Sequence, residues 1–159
     1  MGQTLEVRLA SAADLEALVS LAIAFRDHHG LVKPSEADFR TSIARLLQDR
    51  DTEFFLAWST CGSMSLGYVQ SRYRYSAWTA ALEAELEDVF VVQTARRRGV
   101  GRQLVACAMA RATAKGCRTI GLNTNERNTE ALRLYQRAGF TAERARWGGG
   151  RQLWLELEP

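Results

Sequence analysis

The chain has 159 residues, 47% of them hydrophobic, and 21 Lys and Arg against 18 Asp and Glu leave a formal net charge of +3. That length suits one domain able to bury roughly two thirds of its unfolded surface without disulfide or metal staples. The basic surplus is small and scattered from Arg8 to Arg151, which excludes a nucleic-acid-binding block, and three cysteines with no CxxC spacing beside two adjacent histidines exclude a zinc site.

Residues 4–9 alternate and read as a short strand. Residues 10–25 carry Leu15, Leu18, Val19, Ala22 and Ile23 at helical spacing, with Ser11 as N-cap. After "GLVKP", Ser35 opens a second helix through Phe39, Ile43, Leu46 and Leu47 to about Gln48. Residues 53–59, "EFFLAWS", and 64–74 form two aromatic and β-branched strands around the turn "TCGS". An Ala-rich connection over 76–84, containing Trp78, leads to a strand over 85–92, "ELEDVFVV". Residues 103–115 are helical, with Leu104, Val105, Ala108 and Ala112 along one side and Gly116 as the stop. A strand over 118–123 precedes a helix over 128–138 ended by Gly139. The tail "TAERARWGGGRQLWLELE" reads as a hairpin about Gly148, Gly149 and Gly150.

The resulting order, β-α-α-β-β-β-α-β-α-β-β, shows no repeat, low-complexity segment or linker and predicts a single α/β domain over residues 1–159. The opening "MGQTLEVRL" lacks a basic patch followed by an apolar stretch, and Glu6 stands where a myristoylation motif needs Ser or Thr. No apolar run approaches the roughly 20 residues of a membrane helix. A cytoplasmic protein with no membrane partner is expected.

The stretch "VVQTARRRGVGRQL", residues 91–104, runs from a strand through glycines into a helix. Such a junction suits phosphate, because first-turn N–H groups lack intrahelical partners and the helix dipole adds positive charge. A P-loop requires Lys and Ser or Thr after its second glycine, and a dinucleotide loop requires a third glycine where Leu104 stands, so both fail. What is left is Arg96-x-x-Gly99-x-Gly101, flanked by Arg97, Arg98 and Arg102, which are able to pair with a charged phosphate ligand. A second pattern, "NTEALRLYQRAGF" at 128–140, follows the next strand, and the seven positions from Asn128 to Tyr135 put both on one side of a helix.

Together the two patterns resemble the GNAT superfamily of N-acetyltransferases, and "LED" before an aromatic and a valine resembles its polyamine acetyltransferase branch. The resemblance implies a GNAT-like α/β (α+β) fold: a mixed, mostly antiparallel sheet of about seven strands flanked by about four helices. It implies acetyl-CoA as cofactor, with the pyrophosphate cradled by Arg96, Arg97, Arg98, Gly99, Val100, Gly101 and Arg102. The pantetheine arm is expected against Val89, Phe90 and Val91, with backbone N–H groups near Phe90 and Val91 serving the oxyanion. Asn128 would contact the cofactor and Tyr135 would protonate the CoA sulfur, although Asn128 also suits a helix cap and Tyr135 also suits packing. Many members carry a glutamate as base at the position of Asn123, which cannot accept a proton at useful pH. The alternatives are Glu87, favoured by the branch resemblance, and Asp88, and on a regular strand only one of the two faces the site. Asp27, His28 and Trp78 sit where this family builds its acceptor wall, and with Asp88 they are the candidate substrate contacts.

The implied activity is direct acetyl transfer from acetyl-CoA to a primary amine of a small molecule, with Asp27, Glu85, Glu87 and Asp88 favouring a cationic one such as a polyamine, an aminoglycoside or an amino acid. A non-catalytic acyl-CoA sensor and a protein N-terminal or lysine acetyltransferase are the alternatives. Neither a metal nor a nucleic-acid partner is implied. Dimers are common in the family, and the β-rich tail offers edges for one.

Overall fold

The computed structural model describes residues 5–61, 64–143, 148 and 155–159. Two units make up the chain, residues 1–123 and residues 124–159. The first contains β1 (Leu5–Leu9), α1 (Leu15–His28), α2 (Glu36–Leu46), β2 (Thr52–Ser59), β3 (Met64–Ser76), β4 (Ala81–Val91), α3 (Val100–Ala114) and β5 (Thr119–Leu122). The second contains α4 (Thr129–Arg137). The described strands form one five-stranded sheet in the order β1-β2-β3-β4-β5. Its pairs are antiparallel except β4 with β5, which are parallel and joined by α3 as the crossover that such a pair requires.

The helix starts follow from capping. Ser11 accepts from Ala13 N–H and Asp14 reaches back to Ser11 N–H, closing a capping box around a 3₁₀ turn over Ala12–Asp14. The α-helix therefore begins at Leu15 and not at residue 10. Ser35 and Asp38 repeat the device at the start of α2. The third helix starts at Val100, three residues before the expected position, because Gly99 takes the left-handed conformation (φ 82°) and ends the incoming chain there. The Ala-rich segment expected to connect β3 and β4 is strand from Ala81 onward, since Ala84 packs with Tyr73 and Ala112. Packing overrides the weak strand preference of alanine. The sheet has five described strands against about seven expected. The expected tail hairpin lies largely outside the described residues, and 155–159 carry no regular structure.

On one face of the sheet, α1 and α2 bury Leu18, Val19, Leu21, Ala22 and Ile43 against Phe54, Leu56, Tyr68 and Phe90. On the other, α3 buries Leu104, Val105, Ala108 and Ala112, each at 0–1% exposure. Close approach at the sheet centre depends on Gly67, which pairs with Val91: a Cβ there would collide with the Phe90 carbonyl oxygen and press on Val91 Cα at 3.1 Å and Leu104 Cδ1 at 3.3 Å.

Pairing of β3 with β4 slips by one residue in mid-strand. Gln70 pairs with Asp88 but Ser71 pairs with Leu86, so Glu87 is the extra residue of a β-bulge.

Candidate active site

The bulge removes the choice that a regular strand imposes on Glu87 and Asp88. Tyr68 Oη donates to Asp88 Oδ2 at 3.0 Å, and Gln70 Nε2 donates to Glu87 Oε2. Tyr68 and Gln70 are two apart on β3 and share the face that α1 covers, so both neighbouring carboxylates reach that face. Arg72, the next residue on it, lies 3.4 Å from Glu87 Oε1. Burial raises the Glu87 pKa, opposed by Arg72, and burial raises that of Asp88, opposed by the Tyr68 hydrogen bond. Both carboxyls are thus moved toward the range in which a proton acceptor works.

The same strand exposes a backbone edge. β5 pairs with β4 only from Glu83 to Leu86, whereas β3 follows β4 to Val91. Val92 N–H donates to Leu66 O at 2.9 Å, so by alternation Val91 and Val89 direct their N–H groups away from β3, to the edge that β5 has left. Phe90 turns its backbone toward β3, as the approach of its carbonyl to Gly67 shows. Of the two amides expected for the oxyanion, Val91 lies on the open edge and Phe90 does not; Val89 is its partner there.

This edge leads into the glycine-arginine turn. Arg96 donates from Nε to Val91 O at 3.1 Å, pinning the turn to the strand end. Arg97 takes positive φ (61°) and Gly99 follows at 82°. No side chain caps α3, and its first closing bond runs from Gln103 N–H to Gly99 O at 3.0 Å. The N–H groups of Val100, Gly101 and Arg102 precede that bond, and with three flanking arginines they form a donor set that fits a diphosphate.

His28 belongs to this part of the site. Its Nε2 lies 3.4 Å from Arg96 Nη2, and its ring approaches Phe90 at 6.4 Å. Ala24, His28, Phe90, Val92, Gln93 and Arg96 line a cleft of about 270 Å³. Burial lowers the His28 pKa, and the charges of Arg96 and His29 lower it further, which favours the neutral imidazole beside Arg96. Phe25 stacks on Phe90 at 4.9 Å and meets His29 at 4.8 Å, making the end of α1 an aromatic wall.

In the second unit, Asn128 caps α4 by accepting from Ala131 N–H at 3.3 Å. Tyr135 lies in the last turn of α4 with its ring against Phe140 at 6.0 Å, and burial raises its pKa.

One expected acceptor contact stands apart from the carboxylates. Trp78, 79% exposed, lies in the turn beyond the Ser76–Ala81 pair. At about 3.4 Å per residue that is roughly 20 Å along β3 from Gln70. Asp27 is exposed and bound by Arg26 at 2.7 Å. Asn123, at the usual base position, donates to Glu85 Oε1 at 3.1 Å. Sequence reasoning missed Tyr68, Gln70 and Arg72. The available signal was the spacing of Tyr68, Gln70 and Arg72 in steps of two along a strand whose intervening residues, Val69 and Ser71, are fully buried. Among the described residues no group of three or more His, Cys, Asp or Glu is placed to hold a metal, and no helix is long and apolar enough to cross a membrane.

The sequence model of the Acetyltransferase (GNAT) family matches residues 18–140. The chain belongs to this family. Segments of it resemble two N-acetyltransferases of known activity. One is the aminoglycoside N(6')-acetyltransferase type 1 of Salmonella typhimurium, 40% identical over 55 residues, covering 35% of this chain and 38% of that protein. The other is the thialysine N-epsilon-acetyltransferase of Mus musculus, 32% identical over 78 residues, covering 49% of this chain and 45% of that protein. The match spans less than half the length of either relative. Across the whole chain the GNAT fold is shared with a crystal structure of an aminoglycoside N-acetyltransferase in complex with CoA, at a TM-score of 0.78 and 21% identity, covering 100% of this chain and 97% of that one.

Proposed function

We propose that the protein is an acetyl-CoA-dependent N-acetyltransferase that transfers an acetyl group directly to a primary amine of a small cationic acceptor. The observation that carries this reading is the continuity of one strand: β4 offers two carboxylates at its bulge, then an open backbone edge, then an uncapped glycine turn. The match to the family model runs across both units, which supports one catalytic domain over residues 1–159.

The turn residues Arg96, Arg97, Arg98, Gly99, Val100, Gly101 and Arg102 would hold the diphosphate, the edge at Val89–Val91 would hold the pantetheine arm, and Asn128 would add a contact. Bound acetyl-CoA would supply the activated thioester. Glu87 would take the proton from the incoming ammonium, directly or through a water. The N–H groups of Val89 and Val91 would stabilise negative charge developing on the acyl oxygen. The Tyr135 hydroxyl would hold the proton that the departing sulfur needs. Asp88 and His28 would line the acceptor side. The relatives that act on aminoglycosides and thialysine support a small amine as acceptor.

The test is thiol release from acetyl-CoA against polyamines, aminoglycosides, amino acids and peptide N-termini. Release with a small di- or polyamine is expected. Asn123 in place of a carboxylate just after β5 favours one competing reading, an acyl-CoA sensor without catalysis. Tight CoA binding with no release for any amine would establish that reading.

A further inference from the structure

Tyr68 and Gln70 are buried, at 3% and 7% exposure. Burying a phenol or an amide costs free energy unless its polar end is hydrogen-bonded, and Phe or Met would fill the same space without that cost. In both side chains the polar end is directed at a bulge carboxylate, Tyr68 at Asp88 and Gln70 at Glu87. The bulge brings both carboxylates to one face, where the Asp88 charge disfavours ionised Glu87, and a hydrogen-bond donor on each favours its charged form.

We propose that Gln70 and Tyr68 are positioning residues for amine acylation, Gln70 fixing Glu87 as the proton acceptor and Tyr68 fixing Asp88 as the anchor for the acceptor's cationic group. The assignment rests on the N-acetyltransferase reading above. The charged groups facing the pair are Arg72 of β3 on Glu87, Glu85 beside Glu87 on β4, and His29 at the end of α1 toward Asp88. Loss of the Gln70 amide removes a donor to ionised Glu87, so Glu87 ionises at higher pH and the acid limb of kcat/KM moves up. Loss of the Tyr68 hydroxyl leaves Asp88 half-buried without that donor, so the anion that holds the acceptor is weakened.

The experiment compares Gln70→Met and Tyr68→Phe with the wild-type chain, using whichever amine of the panel turns over. Gln70→Met should move the acid limb up by about one pH unit, an approximately tenfold loss of kcat/KM below it. Tyr68→Phe should raise the acceptor KM about tenfold and lower kcat by much less. In both, CoA affinity should stay within about twofold, which shows that the fold is intact. A loss in Gln70→Met that is uniform across pH, or a fall in kcat without a rise in KM for Tyr68→Phe, would reduce the two residues to packing and overturn the proposal. If the wild-type chain binds CoA and acetylates nothing, the enzyme reading fails separately. Carboxylate titration by NMR then decides the positioning roles: each variant must raise the midpoint of its own partner alone, and unmoved midpoints overturn them.

Discussion

Gly67 lies so close to the Phe90 carbonyl that no side chain fits between β3 and β4 at that point. The contact sets the position of the strand edge on which Val89 and Val91 present their N–H groups. Gly67→Ala is therefore expected to cost about 1–3 kcal/mol of stability as the strands part, and to weaken CoA binding at temperatures where the variant is still folded. Denaturant unfolding and calorimetric titration with CoA check the two effects. An alanine variant with wild-type stability would show that the approach is not constraining.

The arginines around the turn act on phosphate charge. Neutralising Arg97, Arg98 and Arg102 together should weaken CoA by about 10- to 100-fold and pantetheine, which lacks the nucleotide, by little. Equal losses for both ligands would trace the effect to folding and not to the diphosphate.

Tyr135 is 8% exposed, and burial raises its pKa, so its hydroxyl remains protonated through neutral pH, the state that an acid requires. Tyr135→Phe keeps the ring against Phe140 and removes only the proton donor. Turnover should fall about 100-fold with CoA affinity nearly constant. Steady-state kinetics beside a CoA titration measure both, and an unaltered rate would remove Tyr135 from the chemistry.

Acid stability depends on a group remote from the chemistry. The Arg8 guanidinium bonds Asp14 at 2.7 Å and 2.8 Å, and, with burial opposing and Ser11 N–H adding to it, holds the carboxyl pKa down at about 2, below the ordinary carboxylate range. A carboxyl with a depressed folded-state pKa contributes stability above its unfolded value and loses it as pH falls through the folded one. Arg8 is 41% exposed on its side chain, so solvent screening reduces the contribution to on the order of 1 kcal/mol. Asp14→Asn should flatten the loss of stability between about pH 4 and pH 2, as followed by urea unfolding across that range.

The fold was legible wherever local chemistry decided it. Ser11 and Ser35 announce their helices by capping, and Gly99, Gly116 and Gly139 mark helix ends through positive φ. The turn at Arg96–Gly101 was legible because backbone donors need glycine whatever else surrounds them. What escaped was set by cross-strand register. The pair "ED" at Glu87 and Asp88 breaks the alternation of Leu82, Ala84 and Leu86 from Val89 and Val91, but its partners Tyr68 and Gln70 lie 20 and 17 residues away in sequence. Trp78 is close to the carboxylates in sequence, and the long run of β3 and β4 carries it away.

The extra residue in β4 also puts the two halves of the strand out of phase. Even-numbered residues look toward α3 at Ala84, yet toward α1 at Asp88 and Phe90. Deleting Glu87 would remove the bulge and restore regular alternation, leaving Asp88 and Phe90 toward α1 and Leu86 and Val89 toward α3, so that only the second acid is lost. Tolerance of a single-residue deletion at that point is therefore a stringent measure of whether the protein depends on having both acids on one side.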